Sequence, residues 1–343
     1  MSELQTTKIT NRAGTGSPNF TNGVKISGTD SGLLAPTRTE GATQPDAETS
    51  SNGDTFYDTA NDTYDILIED AWVRVIGAGG GAASWTVDLS NVTYDNKSFS
   101  TSTQDGNSNT TAFSSDGTKM YSVGNINDTV YQYSMSTAWD VSTASYDNVS
   151  LSMSGVEALP FEAEFNPDGT KLYVVGLSGD KIYQYSLTTA FDLSTASYDS
   201  VVLSIFSQDS APNGLAFNTD GTKLYVSGTS GDSVYQYSLS TAYSLNTASY
   251  DSVAFSASSQ DSNVQSVAFN SDGTKMYITG GTGDSVYQYS LTTAFDISTA
   301  SYDSISFSTS SQTTSPNSTV FSIDGTKMYV TQYGIVYQYS TGL

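Results

Sequence analysis

From residue 85 onward, apolar positions come in short alternating runs. Around Asp220 four of them, GLAFN, TKLYVSG, SVYQYSL and SVAFSAS, are separated by Asp, Gly and Ser. A period of two sends successive side chains to opposite faces, as in a β-strand, and the turn residues between runs predict hairpins. The set of four then returns. DGTK begins at Asp116, Asp168, Asp220, Asp272 and Asp324, 52 residues apart each time, and YD begins at Tyr94, Tyr146, Tyr198, Tyr250 and Tyr302 with the same spacing. Four strands in a period close to ~50 residues make one blade of a radial repeat.

The predicted fold class is therefore all-β: a five-bladed β-propeller over residues 84–343, built of 52-residue four-stranded repeats. The fifth unit stops at Ser340 after its third strand. SWTVDLSNVTYDNKSFSTS, residues 84–102, aligns with AFDLSTASYDSVVLSIF of a full unit, and is expected to supply the missing outermost strand and close the ring. Closure removes the strand edges that an open solenoid would expose. In NPDGTK, Pro167 favours a type I turn and Gly169 supplies the left-handed residue after it, so these segments are hairpin tips whose Asp and Lys read as turn chemistry and solvation. In VYQYS, tyrosines such as Tyr131 and Tyr133 share one strand face and are expected to pack between blades.

Composition narrows the chemistry. Hydrophobic residues are 37% and charged residues 14%, in keeping with a turn-rich β-protein. Twelve Lys plus Arg against 35 Asp plus Glu give 12 − 35 = −23, a field that repels phosphate backbones and anionic membranes and argues against nucleic acid as a partner. The absence of Cys and His excludes disulfides, thiolate chemistry and any imidazole base. The first twenty residues lack the apolar core of a signal peptide, and no stretch approaches the length for membrane insertion.

Residues 1–40, rich in Gly, Thr, Ser and Asn, cannot bury a core and are expected to be an extended attachment segment. Alternation in DTFYD, TYDILI and AWVRV predicts a three-stranded meander within residues 41–77, and residues 78–83 form a Gly-rich linker. The combination of Gly53, Asp54, Phe56, Tyr57, Asp58, Trp72 and Val73 resembles a small module of bacteriophage tail-fibre and other virion-appendage proteins, and TKITNRAGTGSPNFTNGVKISG is similar to the N-termini of structural proteins of marine phages such as cyanophages. The resemblance implies a virion location on tail or capsid, attachment to other virion proteins through residues 1–83, homotrimeric association, and a propeller presented to a host-surface glycan or protein.

Three candidate sites follow from the repeat. Asp105, Glu157, Asp209 and Asp261 fall at equivalent places in the inter-blade loops, with Asp128, Asp180, Asp232 and Asp284 in the second-to-third-strand loops; carboxylates converging there could hold calcium. Trp139, Phe191, Tyr243 and Phe295 recur in the long third-to-fourth-strand loops, one aromatic per blade, either as a stacking platform or buried under the loop. PFEAEF breaks the repeat: Phe161, Glu162 and Glu164 stand where another copy has Asn213, Gly214 and Ala216. Two acids beside a channel would suit a glycan hydrolase, whereas drift in one blade suits a binding face or a salt bridge to Lys181. The resulting expectation is a non-catalytic phage structural protein; a lectin-like propeller and a five-bladed glycan hydrolase are the alternatives.

Overall fold

The computed structural model describes residues 85–343 throughout and, before them, only the strands Ile9–Asn11, Pro18–Phe20, Thr55–Asp58, Thr63–Ile68 and Ala71–Val75. The chain divides into two units, Met1–Ser84 and Trp85–Leu343. In the first, Thr55–Asp58, Thr63–Ile68 and Ala71–Val75 form the expected antiparallel meander. Ile9–Asn11 also pairs with Pro18–Phe20, a hairpin that the composition of residues 1–40 does not announce. The linker 78–83 and most of the attachment segment lie outside the described residues.

The second unit is a five-bladed β-propeller. Each blade is a four-stranded antiparallel sheet; in blade two the order runs Pro160–Phe165, Lys171–Gly176, Lys181–Leu187, Ala196–Ser204 from centre to rim. Blades one, three and four begin at Ser108, Pro212 and Val264. Blade five joins Ser318–Phe321, Lys327–Gln332 and Ile335–Ser340 to the strand Thr93–Ser100, so the ring closes between the two ends of the repeat region as the alignment requires. The first strands neighbour one another around the centre.

The hairpin tips fold as their residues dictate. Gly117, Gly169, Gly221, Gly273 and Gly325 all sit at φ between 68° and 71°, a region L side chains rarely adopt. Asp168 Oδ1 accepts hydrogen bonds from the Thr170 amide and hydroxyl. The lysine that follows is not simply solvated. Lys119, Lys171, Lys223, Lys275 and Lys327 pair with Asp147, Asp199, Asp251, Asp303 and Asp95 of the fourth strands at 2.6–3.3 Å. Each of these aspartates also accepts from the glutamine between the two tyrosines of VYQYS, at 2.7–2.9 Å.

That glutamine ties one blade to the next. Gln132, Gln184, Gln236, Gln288 and Gln338 accept the amide N–H of Leu193, Leu245, Ile297, Leu89 and Val141, each in the following blade. The tyrosines flanking it pack in the seams: Tyr133, Tyr185, Tyr237, Tyr289 and Tyr339 are almost completely buried. Ion pair, amide and apolar seam therefore repeat five times around the ring.

Candidate functional site

The inter-blade loops and the second-to-third-strand hairpins share one face, here the upper face, because the loop carboxylates reach the hairpin amides. Glu157 accepts from the N–H groups of Leu159, Ser178 and Gly179 and from the Tyr183 hydroxyl, at 2.9–3.1 Å. Asp209 and Asp261 do the same in blades three and four, and Asp105 binds the Asn107 and Asn127 amides in blade one. The structure does not bring these four together as a metal site. Each is buried and taken up by donors of its own blade, and among the described residues no group of three or more Asp or Glu is placed to hold a metal ion. The hairpin acids Asp128, Asp180, Asp232 and Asp284 all adopt left-handed φ of 45–50°.

Trp139, Phe191, Tyr243 and Phe295 lie on the opposite face. Each is half-buried, also left-handed, and seated on the tip glycine of its own blade, so that a Cβ on Gly117, Gly169, Gly221 or Gly273 would come within 2.3 Å of the ring. Their inner neighbours are Phe113, Phe165, Phe217 and Phe269, at the ends of the first strands. Of the two readings of these rings, the packed one describes their surroundings. Trp85 covers Gly325 in the fifth blade, a role its offset from the other four rings hides in the sequence.

Blade two differs at the centre. Its first strand shares with blades one, three and four a bulge, here between Pro160 and Glu162, but carries Phe161 there, which packs in the seam with blade three. Asn109, Asn213, Gln265 and Asn317 occupy the Phe161 position elsewhere and bond in pairs, Asn213 to Gln265 at 2.9 Å and Asn317 to Asn109 at 3.1 Å. Phe161 stands between these two pairs, and Asn109 Nδ2 and Asn213 Oδ1 are without partners. Below it, Glu162 binds the Leu215 amide and Glu164 Oε1 accepts from the Phe217 N–H at 3.4 Å, so both acids bridge to blade three. In blade four the Ser266 hydroxyl does the equivalent job for the Thr319 amide.

Burial and then the Glu164 carboxyl push Glu162 well above the usual carboxylate range, and burial pushes Glu164 up to about 8. Glu162 is 6% exposed, whereas Glu164 is half-buried, so the firmer upward shift is that of Glu162. Neither meets a cation: Lys181 is on the third strand, paired with Gly176 and Ser204, and forms no ion pair with them among the described residues. A pair of neutral carboxyls can donate and accept hydrogen bonds.

No family model matches the chain, and no curated protein matches it. Among solved structures it is similar to a putative 6-phosphogluconolactonase from Bacteroides uniformis ATCC 8492, at 14% identity and TM-score 0.44 over 66% of either chain. A functionally unknown protein from Desulfotomaculum acetoxidans DSM 771 matches at 14% identity and TM-score 0.42, over 65% of this chain and 62% of its own. Sqt1 of Chaetomium thermophilum, bound to the N-terminus of ribosomal protein L10, matches at 16% identity and TM-score 0.40 over 68% and 58%. The chain thus spans less than two thirds of each of these proteins, and the likeness is one of fold alone.

Proposed function

We propose that the chain is a non-catalytic binding and assembly protein of the phage-appendage type, attached through residues 1–83 as a homotrimer and presenting the propeller to a host-surface protein or glycan. One observation carries the non-catalytic part: the repeated polar chemistry of all five blades is consumed in holding the ring. The lysines are paired with aspartates, the glutamines span the seams, and the inter-blade acids cap hairpins. The one departure, Glu162 and Glu164, is a pair of acids held above the usual carboxylate range and bonded to backbone N–H groups of blade three. The propeller exposes only the short outer strand of each blade, such as Ala196–Ser204, which favours attachment through the N-terminal unit.

Mass spectrometry of purified virions tests the location, with the protein expected among the structural components. Light scattering tests the division of labour: the full chain is expected to be oligomeric and fragment 84–343 monomeric. A stable oligomer of that fragment would move assembly into the propeller, and absence from virions would sink the phage reading.

A further inference from the structure

The upper face is uneven. Of the seven large apolar residues left exposed among the described residues, four lie there, Ile126 (64%), Leu159 (40%), Phe206 (66%) and Tyr333 (55%), while Val202, Ile323 and Leu343 lie elsewhere. The repeat places Ser178, Ser230 and Thr282 at the Ile126 position, Ser102, Ser154, Ser258 and Ser310 at the Phe206 position, and Asn107, Ala211 and Asn263 at the Leu159 position. Tyr333 stands in a two-residue turn with Gly334, at φ 43° and 77°, where blades one to four have longer hairpins ending in aspartate. These four departures are not scattered.

They are linked by an unbroken series of loop contacts. The Gly334 carbonyl accepts the Thr101 N–H at 2.8 Å, which sets Tyr333 beside loop 101–107; Asp105 of that loop accepts the Asn127 N–H at 2.9 Å, which sets Ile126 on its other side. Asp128, two residues after Ile126, accepts Met153 N–H at 2.7 Å at the start of the loop that ends in Leu159. The Leu159 carbonyl accepts Leu177 N–H at 3.0 Å, and Asp180 of the same hairpin accepts the N–H of Ile205, the residue before Phe206, at 2.8 Å. The result is an apolar arc across blades five, one and two.

Charge says what would cover it. Residues 85–343 hold 7 lysines and 24 carboxylates, 7 − 24 = −17, and six of the lysines are in ion pairs away from this face. Only Lys181 remains, among the described residues, against two acids per blade in blades one to four. Asp180 and Asp232, on either side of the Phe206 loop, are partly exposed, each with its Oδ1 turned inward, and lie near enough to Glu157, Asp209 and Asp261 to add to one field of negative charge.

We propose that this arc is a docking surface for a basic, apolar segment of a partner protein. Tyr333, Ile126, Leu159 and Phe206 receive its apolar side chains, and Asp180 and Asp232 receive its arginine or lysine groups. Apolar anchors ringed by complementary charge are the usual anatomy of such an interface. The inference rests on the binding-protein reading above and names its surface.

Fluorescence anisotropy on the full chain tests it, with a labelled peptide of alternating arginine and leucine and, for comparison, arginine–serine and glutamate–leucine peptides. The arginine–leucine peptide is expected to bind about tenfold or more tighter than either. The triple variant Ile126→Ser, Leu159→Asn, Phe206→Ser introduces only residues that other blades carry at these places, so it should keep its melting curve and lose about tenfold or more in affinity. Asp180→Asn with Asp232→Asn should lower affinity and flatten its salt dependence. Equal binding of the arginine–leucine and arginine–serine peptides, an unchanged triple variant, or a fragment 84–343 that light scattering shows as an oligomer which the triple substitution breaks into monomers would overturn the proposal. Absence of the protein from virions, together with loss of binding in the triple variant, would remove the phage reading and leave the docking surface standing.

Discussion

Tyr277 in blade four donates its hydroxyl to the main-chain carbonyl of Val87, 190 residues earlier in the chain, at 2.7 Å. The same bond recurs from Tyr121 to Phe191, Tyr173 to Tyr243, Tyr225 to Phe295 and Tyr329 to Trp139. The seam that closes the ring is thus built like the other four. Tyr277→Phe should then cost about 1 kcal/mol, as a net hydrogen bond does, and lower the melting temperature by about 2–4 °C, the same as Tyr225→Phe. A much larger fall at Tyr277, measured by calorimetry on both variants, would show that closure hangs on this one contact.

Removing the whole closing segment is a different matter. A chain starting at residue 103 loses the fourth strand of blade five together with Asp95, the partner of Lys327, and Leu89, the partner of Gln288. It should melt far lower and aggregate through the bared edge of Ile335–Ser340. Scattering and thermal unfolding that match the intact propeller would refute the closing role.

The five rim aspartates set the acid limit. Burial alone would raise Asp251, but Lys223, Ser238 and Gln236 outweigh it and hold the carboxyl below its usual range; Asp95, Asp147, Asp199 and Asp303 are held down in the same way. A depressed folded value stabilises above the ordinary aspartate pKa of about 3.9, and that stability is lost as pH falls through the lower folded value. Urea unfolding should show stability dropping below about pH 4, and Asp251→Asn should cost about 1–3 kcal/mol at neutral pH while reducing that acid-side slope.

Much of this was legible in the sequence. The spacing of DGTK and YD announced five blades, and the match between residues 84–102 and a full unit announced the closure. The polar interlock was not. Lysine, glutamine and YD repeat together in every copy, yet Lys171 and Asp199 are 28 residues apart and Gln132 and Leu193 are 61 apart, so their partnership appears only once strands are in register and blades are adjacent. The ring positions carried a signal that the sequence reading did not use: each aromatic follows a tip glycine at a fixed interval, 117 to 139 and 169 to 191, and only a residue without a Cβ leaves room for it. The acids of the inter-blade loops looked like ligands because their consumption by backbone N–H groups is invisible without the hairpins.

The centre of blade two should respond to alkali. Glu162 and Glu164 have raised folded values, so their contribution is fully present below the ordinary glutamate pKa of about 4.3 and fades as pH rises through the folded values, about 8 for Glu164. The melting temperature of the natural chain should therefore decline between about pH 5 and 9. Glu162→Gln with Glu164→Gln keeps the acceptors for Leu215 and Phe217 and should flatten that decline. Parallel profiles would mean that the two carboxyls are already ionised in the fold.

Glycine at the hairpin tip should be irreplaceable where an aromatic ring sits on it and dispensable elsewhere. Gly221→Ala would place Cβ 2.3 Å from the Tyr243 ring at φ +71°, whereas Gly155, at φ +87°, has nothing within 4 Å of the added carbon. The first is expected to cost more than about 2 kcal/mol and the second about 1 kcal/mol from backbone strain alone. Equal losses in chemical denaturation would mean that the ring moves aside freely.

The strand Thr93–Ser100 is the first of the propeller to leave the ribosome, and its neighbour Ile335–Ser340 is the last. During synthesis blades one to four can each fold as they emerge, but the early strand waits unpaired until the last ones arrive. A translation stall or a premature stop within blade five would strand an unfinished ring with two hungry edges, and such nascent chains would be the ones that chaperones must shield from one another.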